Sequence, residues 1–431
     1  MSHPAHAHSR RIAIVALIAI AVVRLCVLIA SSKSLEADPD AYQALAVSWN
    51  QSGTFGLVQS DGKVHPTAFR PPLYPWFLSW CIIDGRVSHA AIIVFHTILA
   101  IITSAATIAI GHRLFPQRPW WAIVAGCMAA IDPILLRQST LIMTETLATT
   151  MTIVIWWQWI VLMESTESNS RWNRSLQFLS LVLGGMLGLA ALCRPTGLLW
   201  GATLLLGLRW RPPSHQVAVW RWVFLGLLCV MVPWMVRNQN ALGKPILMTT
   251  HGGYTLYLAN NDFLYQHYRE NGPGRDWDAT AFHEEWSYRR PDSEIIDDRL
   301  AQVLATQTIR QQPGMFATSV FIRWGWLWAL WPSEGSLPVR LAIGIWYAGW
   351  YAAALLGVFT SLRSSFWKQQ GRKIAMPAIL FVATLTLIHG VYWSNMRMRA
   401  PAMPILYLAG AFGCSSLLKR RGTLGNLNSQ E

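Results

Sequence analysis

The feature that most constrains this chain is a series of apolar blocks of about 18 to 25 residues, the helical length that crosses a hydrocarbon core near 30 Å thick. Candidate spans fall at 11–31, 89–111, 120–136, 140–163, 176–193, 196–209, 218–236, 340–362, 374–393 and 401–418. In lipid every backbone polar group must be paired within the protein, which restricts spanning structures to helices and closed barrels. Blocks this long select helices. Charged residues make up only 13% of the 431 positions, against roughly a quarter in soluble domains, so a water-soluble globular fold is excluded. The expected fold is an all-α, polytopic transmembrane bundle of about ten spans. It forms one membrane domain over 1–431, with outer insertions at 32–88 and 237–339.

A net charge of +14 invites a nucleic-acid partner. The basic residues sit instead in short clusters between apolar blocks, as in loops facing the cytoplasm. The expected partner is membrane lipid, with no nucleic acid. Arg10 and Arg11 place the N-terminus inside, and alternation then places Arg113/Arg118, Arg171/Arg174 and Arg209/Arg211/Arg221 inside. The apolar block 315–332 is ambiguous. If it spanned, Lys368/Arg372/Lys373 and Lys419/Arg420/Arg421 would both be exported. Lying in the outer interface, as Trp324, Trp326, Trp328 and Trp331 favour, it keeps both clusters and both termini inside. An eleventh span with an exported tail is the alternative. The run after Arg11 is too long for a signal peptide and lacks a small-residue cleavage site, so an uncleaved first span is expected. The six cysteines show no CxxC or Cys/His ligand spacing, so neither a zinc site nor a disulfide framework is expected.

The insertions have structure of their own. Tyr42, Leu45, Ala46 and Trp49 recur with helical period, and Gly53 stops that helix. A second short helix follows Pro71-Pro72. Two amphipathic helices lying on the membrane would cover a site. In the later insertion a helix is expected over 293–311, with Glu294, Asp297 and Asp298 early and Arg310 late, in agreement with the helix dipole.

Several side chains in this frame can carry chemistry. Asp38 and Asp40 follow the first span, where a carboxylate can act as general base on an acceptor whose partner is lipid-borne. A helix-capping aspartate is the plainer reading. Glu145 lies inside an apolar block, where ionisable groups are costly and are functional or paired; pairing with Arg137 is the plainer reading. Asp132 before Pro133 reads equally as a helix terminator. Arg70, Arg137, Arg194, Arg237, Arg397 and Arg399 all fall at the outer surface, against the usual bias. Guanidinium forks suit phosphate, and neutralising a departing phosphate is the help such a transfer needs. A single arginine there fits headgroup snorkelling; several at separate span ends fit a phosphate site. Tyr42, Tyr74, His251, Tyr254, Tyr257, Asn260 and Asn261 could line a sugar pocket or pack loops. His389 reads as a satisfied polar contact.

The blocks Asp38-Pro-Asp-Ala-Tyr42-Gln-Ala-Leu-Ala46, Gly53-Thr-Phe-Gly56 and Thr67-Ala-Phe-Arg-Pro-Pro-Leu-Tyr-Pro75 resemble the first outer loop of GT-C glycosyltransferases. The branch they resemble is the bacterial one related to protein O-mannosyltransferases and aminoarabinose lipid A transferases. Thr144-Glu145-Thr-Leu147 is similar to that branch's Ser/Thr-Glu-x-Leu. Pro233–Asn238, Gly243–Pro245, Thr249–Gly253 and Ala259–Asn261 resemble its following segment, and Arg397-Met-Arg-Ala-Pro401 its late Arg-x-Arg-x-Pro element. Their order, from 38 to about 410, carries the resemblance. It implies inverting transfer of a sugar from a polyprenyl-phosphate donor to a glycan, lipid or protein acceptor outside the cytoplasmic membrane. By motif match Asp38, four before the tyrosine, is the base, Glu145 the second acidic position, and Arg397 and Arg399 the basic element at the lipid phosphate. No cofactor or divalent metal is implied. The large C-terminal domain of some relatives has no counterpart, so acceptor recognition is expected from the outer loops. A transporter or flippase of lipid-linked sugars is the competing class, but it would place charges near mid-bilayer in related halves, and here they gather at the outer ends.

Overall fold

A computed structural model describes residues 3–168, 172–207, 216–273, 277–290, 293–363 and 372–427. The chain enters through α1 (His3–Ala30), whose Ile14, Val15 and Ile18 are exposed, as expected where lipid is the solvent. Arg24 is the exception: it is buried and donates to the Leu135 carbonyl at 2.9 Å and Ser139 Oγ at 3.0 Å. The first insertion carries α2 (Tyr42–Ser52) and α3 (Leu73–Ser79), the two helices anticipated from periodicity. Between them an antiparallel hairpin pairs Gly56–Val58 with Val64–Pro66, and after α3 a smaller one pairs Ile82–Ile83 with Arg86–Val87.

The bundle continues through α4 (His89–Leu114), α5 (Trp120–Ala130), α6 (Pro133–Ser139), α7 (Glu145–Ser168), α8 (Arg174–Cys193), α9 (Pro195–Gly207) and α10 (Gln216–Leu242). The second insertion folds as α11 (Gly252–Ala259), α12 (Asp262–Asn271), α13 (Thr280–Arg289), α14 (Glu294–Gln311) and α15 (Pro313–Leu327). Then come α16 (Leu337–Arg363), α17 (Arg372–Val391), a 3₁₀ turn over Met396–Ala402, and α18 (Met403–Leu427).

Every apolar block read from the sequence is helical, but two are not simple spans. Eight helices of the described residues are long and apolar enough to cross a bilayer. The block at 120–136 is the broken pair α5 and α6, bent by 49°. Asp132 sits at the break, accepting from the Leu135 amide at 2.7 Å, with Pro133 beginning the new helix; an Asp cap and a Pro at N1 are what a restarting helix needs. The block at 196–209 yields α9, only 13 residues, or about 20 Å at 1.5 Å per residue. A further difference lies in α10, which runs through Pro233 to Leu242, so the long insertion begins after 242 rather than at 237.

α15 is not among the helices long and apolar enough to cross a bilayer; its 15 residues span about 22 Å. Gln312, just before it, donates to Asp262 at 2.6 Å, while Trp324 and Trp328 near its end donate to the carbonyl and hydroxyl of Thr386 in the last two turns of α17. At the opposite face, Arg113 pairs with Glu164 at 2.9 Å and Arg118 donates to the Ser415 carbonyl, gathering the ends of α4, α7 and α18. Arg171, Arg209, Arg211 and Lys368, used in the charge argument, lie outside the described residues. Close helix contact is made with small residues, as in many membrane bundles: a Cβ on Gly184 of α8 would collide with the Val223 carbonyl of α10, and one on Gly226 with that of Leu181.

Candidate active site at the insertion face

Local backbone geometry explains how the acidic pair is aimed. Ala41 adopts φ +60°, ψ +23°, a left-handed conformation that costs a residue with a Cβ about 1–2 kcal/mol. It turns the chain between Asp40 and α2. Both carboxylate oxygens of Asp38 then accept the first amides of that helix, Gln43 N at 3.1 Å and Ala44 N at 3.0 Å. Asp40 takes the Arg70 guanidinium instead, Nη2 at 2.7 Å on its carboxylate and Nε at 3.1 Å on its carbonyl. Arg70 lies 4.4 Å from the Phe69 ring centroid and 5.8 Å from that of Tyr42.

Tyr42 is the hinge of the arrangement. It is buried, edge-on to Tyr74 at 5.4 Å. Burial pushes its phenol above the ordinary range; Arg70 and Arg194 oppose that shift, and Asp40 and Glu145 add to it. Tyr74 is fixed from behind. His96 Nδ1 donates to the Ser139 carbonyl at 2.7 Å, so Nε2 accepts the Tyr74 hydroxyl at 3.0 Å.

Glu145 opens α7 and is 2% exposed. Its partners are Arg194 and Arg397, not Arg137, which is exposed on α6. Oε1 lies 3.3 Å from Arg194 Nη1 and 3.8 Å from Arg397 Nε, while Oε2 is buried without a hydrogen-bond partner. The remaining contacts of the two guanidiniums are poor: Arg194 Nη2 meets the sulfur of Met398 and Arg397 Nη1 that of Met143, each at 2.9 Å. Thioethers are weak acceptors. Two cations and one carboxylate thus leave a net positive charge in a largely buried pocket with donors to spare. An uncompensated buried charge is costly, and an anion is what would balance it.

Three residues expected at the substrate make hydrogen bonds within the frame, though Nε and Nη2 of Arg399 meet no partner among the described residues. Arg237 donates to the carbonyls of Thr67 and Phe55, holding the first insertion. Arg399 is fully buried, donates to the carbonyls of Leu327 and Ala329, and lies over the Tyr347 ring at 4.5 Å. Asn260 donates to the Leu256 and Val391 carbonyls and accepts from the Tyr265 hydroxyl and Arg323. Each meets backbone carbonyls, and buried polar groups take such partners. Asn261 caps α12, and Tyr257 packs with Phe282 and Trp286. His251 lies between Phe69 and Tyr254 at 4.6 and 5.0 Å; burial, with Arg70 second, pushes it down to about 3.

Other parts of the frame escaped the sequence. Glu294 of α14 accepts from the Thr67 hydroxyl and the Ala68 amide, tying the second insertion onto the first. Asp132 is fully buried between the hydroxyls of Tyr347 at 3.0 Å and Tyr407 at 2.5 Å. No local pattern announces contacts between residues more than 200 positions apart.

The architecture is that of a helical membrane protein whose fold matches solved oligosaccharyltransferase structures. The apo oligosaccharyltransferase of Archaeoglobus fulgidus matches with a TM-score of 0.56 at 12% identity, over 96% of this chain and 52% of its own. The same organism's AglB, in complex with an inhibitory peptide and a dolichol-phosphate, gives 0.53 at 11% identity over 96% and 52%. ArnT from Cupriavidus metallidurans bound to undecaprenyl phosphate gives 0.44 at 13% identity, over 93% of this chain and 76% of that one. The chain spans about half the length of the archaeal enzyme. No protein-family model and no curated protein matches the sequence.

Proposed function

We propose that this protein is an inverting glycosyltransferase that moves a sugar from a polyprenyl-phosphate donor to an acceptor at the extracytoplasmic face of the cell membrane. The observation that carries the reading is the Arg194–Glu145–Arg397 cluster, a largely buried site with net positive charge in which, among the described residues, Arg194 Nη2 and Arg397 Nη1 meet only sulfur. That the same fold holds a dolichol-phosphate in AglB supports a lipid phosphate as the missing anion.

The chemistry follows the charges. A polyprenyl-phosphate sugar is a phosphodiester carrying one negative charge. As the acceptor oxygen or nitrogen bonds to the anomeric carbon, the bond from that carbon to the phosphate oxygen breaks. Its electron pair leaves with the phosphate, which gains a second negative charge. Guanidiniums placed where charge develops stabilise the transition state more than the ground state. Glu145 holds the two arginines at one point and keeps the resting charge matched to a monoanion. The acceptor's proton passes to Asp38, whose orientation is set by the two α2 amides. Asp40 fixes Arg70 beside the rings of Phe69 and Tyr42. Arg137, exposed nearby, is left for the polyprenyl headgroup or the acceptor. Charge balance supports an outer site, since the basic loops then face the cytoplasm.

Isolated membranes given radiolabelled polyprenyl-phosphate sugars test the reading. A labelled glycan, lipid or protein that depends on Glu145 is expected. Labelled donor that stays intact with every sugar, or moves across the membrane unchanged, defeats it.

A further inference from the structure

Buried polar atoms without a partner are few in native proteins, and each calls for a reason. Two of them that the phosphate chemistry does not use lie at and just beyond the end of α17. His389, in the last turn of α17, is 6% exposed. Its Nδ1 lies 3.1 Å from the Trp393 carbonyl; a carbonyl only accepts, so Nδ1 carries the proton. Nε2 of the neutral ring is then a lone-pair acceptor, and no donor among the described residues meets it. Ser394, five residues on, is fully buried and its Oγ is also without a partner. Ser394 stands three residues before Arg397, and the turn that carries Arg397, Met396–Ala402, packs against both α17 and α7, so the pair borders the cluster.

A neutral acceptor is useless to a phosphate, whose oxygens are acceptors too. It suits an O–H. In a donor molecule whose phosphate is held by Arg194 and Arg397, the groups that carry such hydrogens are on the sugar. We infer that His389 and Ser394 form a subsite that reads a sugar hydroxyl next to the lipid phosphate, and that His389 sets which sugar the enzyme accepts. The inference rests on the function proposed above. A site built around a hydroxyl rejects analogues that lack it, because its own polar group is then left buried and unpaired.

The test uses purified full-length protein with two readouts: binding of undecaprenyl phosphate, which has no sugar, and transfer kinetics with undecaprenyl-phosphate mannose, glucose and aminoarabinose. His389→Phe is expected to bind undecaprenyl phosphate like the wild type. Its KM for the wild type's preferred donor should rise about 10-fold, the scale of one lost hydrogen bond, with kcat little changed and the preference among sugars flattened. His389→Gln, which restores an acceptor oxygen, should recover most of the loss, and Ser394→Ala should raise KM by a smaller factor. Unchanged KM and sugar preference in His389→Phe would overturn the subsite. So would a loss of undecaprenyl phosphate binding in that variant, which would put His389 in the phosphate site instead. If His389→Phe does not fold, Ser394→Ala decides, and an unaltered KM there overturns the inference. Failure of the wild type itself to bind undecaprenyl phosphate marks a different fault, in the phosphate reading.

Discussion

Replacing Asp38 by Asn separates a general base from a helix cap. The two amides that Asp38 accepts, at 3.1 and 3.0 Å, are the donors that an α-helix leaves unpaired at its start. Asn caps helices nearly as well as Asp and keeps one side-chain oxygen, so Asp38→Asn should cost at most a few tenths of a kcal/mol. Asp38→Ala removes both acceptors and should cost about 1 kcal/mol. A base contributes on a different scale, about 10² to 10⁴ in rate, equivalent to roughly 3–5 kcal/mol in the barrier. The stability and rate effects thus diverge by about an order of magnitude for the same substitution. Purified Asp38→Asn should unfold within a degree or two of wild type and lose at least about 100-fold in transfer, with binding of undecaprenyl phosphate retained. An Asp38→Asn variant within a few fold of wild-type turnover would refute the assignment. Loss in Asp40→Asn alone would then move the role to the carboxylate that faces Arg70.

Further consequences are measurable. Glu145→Gln should insert and express but lose about 100-fold or more in transfer, the scale of a lost preorganised charge; full activity would remove Glu145 from the mechanism. Glu294→Ala strips the Thr67 hydroxyl and the Ala68 amide of their acceptor, so the first insertion should become more sensitive to limited proteolysis, with about 1–3 kcal/mol lost in thermal unfolding. His251 is held down to about 3, below its unfolded value near 6.5. Between those values the unfolded chain binds a proton that the folded one does not, so stability is full above about 6.5 and falls with pH by at most about 1.4 kcal/mol per unit. His251→Phe should flatten that decline relative to wild type; equal slopes would contradict it. Reporter fusions at 60, 170, 280 and 425 should read outside, inside, outside and inside.

What the sequence disclosed and what it hid divide along physical lines. Hydropathy and period located the helices because burial in lipid acts residue by residue, and α14 was legible down to its first turn from its acidic start. The break at Asp132 was visible as Asp-Pro, yet its meaning depended on Tyr347 and Tyr407, far away in the chain. The arginines illustrate the limit best. All six of Arg70, Arg137, Arg194, Arg237, Arg397 and Arg399 looked alike as cations at span ends. Which of them face a pocket is decided by tertiary contacts: Arg237 and Arg399 found backbone carbonyls, whereas Arg194 and Arg397 found one carboxylate oxygen and two sulfurs. His389, which read as a satisfied contact, is satisfied at only one nitrogen. That distinction exists only in three dimensions.

The central claim is that Arg194 and Arg397 hold a lipid phosphate, and equilibrium binding of labelled undecaprenyl phosphate to the purified protein tests it most directly. Wild type should bind saturably and more weakly at high salt, and Arg194→Gln and Arg397→Gln should each weaken binding by about 10-fold or more, the worth of a charge-assisted hydrogen bond. Arg237→Gln, if folded, should bind as wild type does. Equal affinity for undecaprenyl phosphate in wild type, Arg194→Gln and Arg397→Gln would contradict the account.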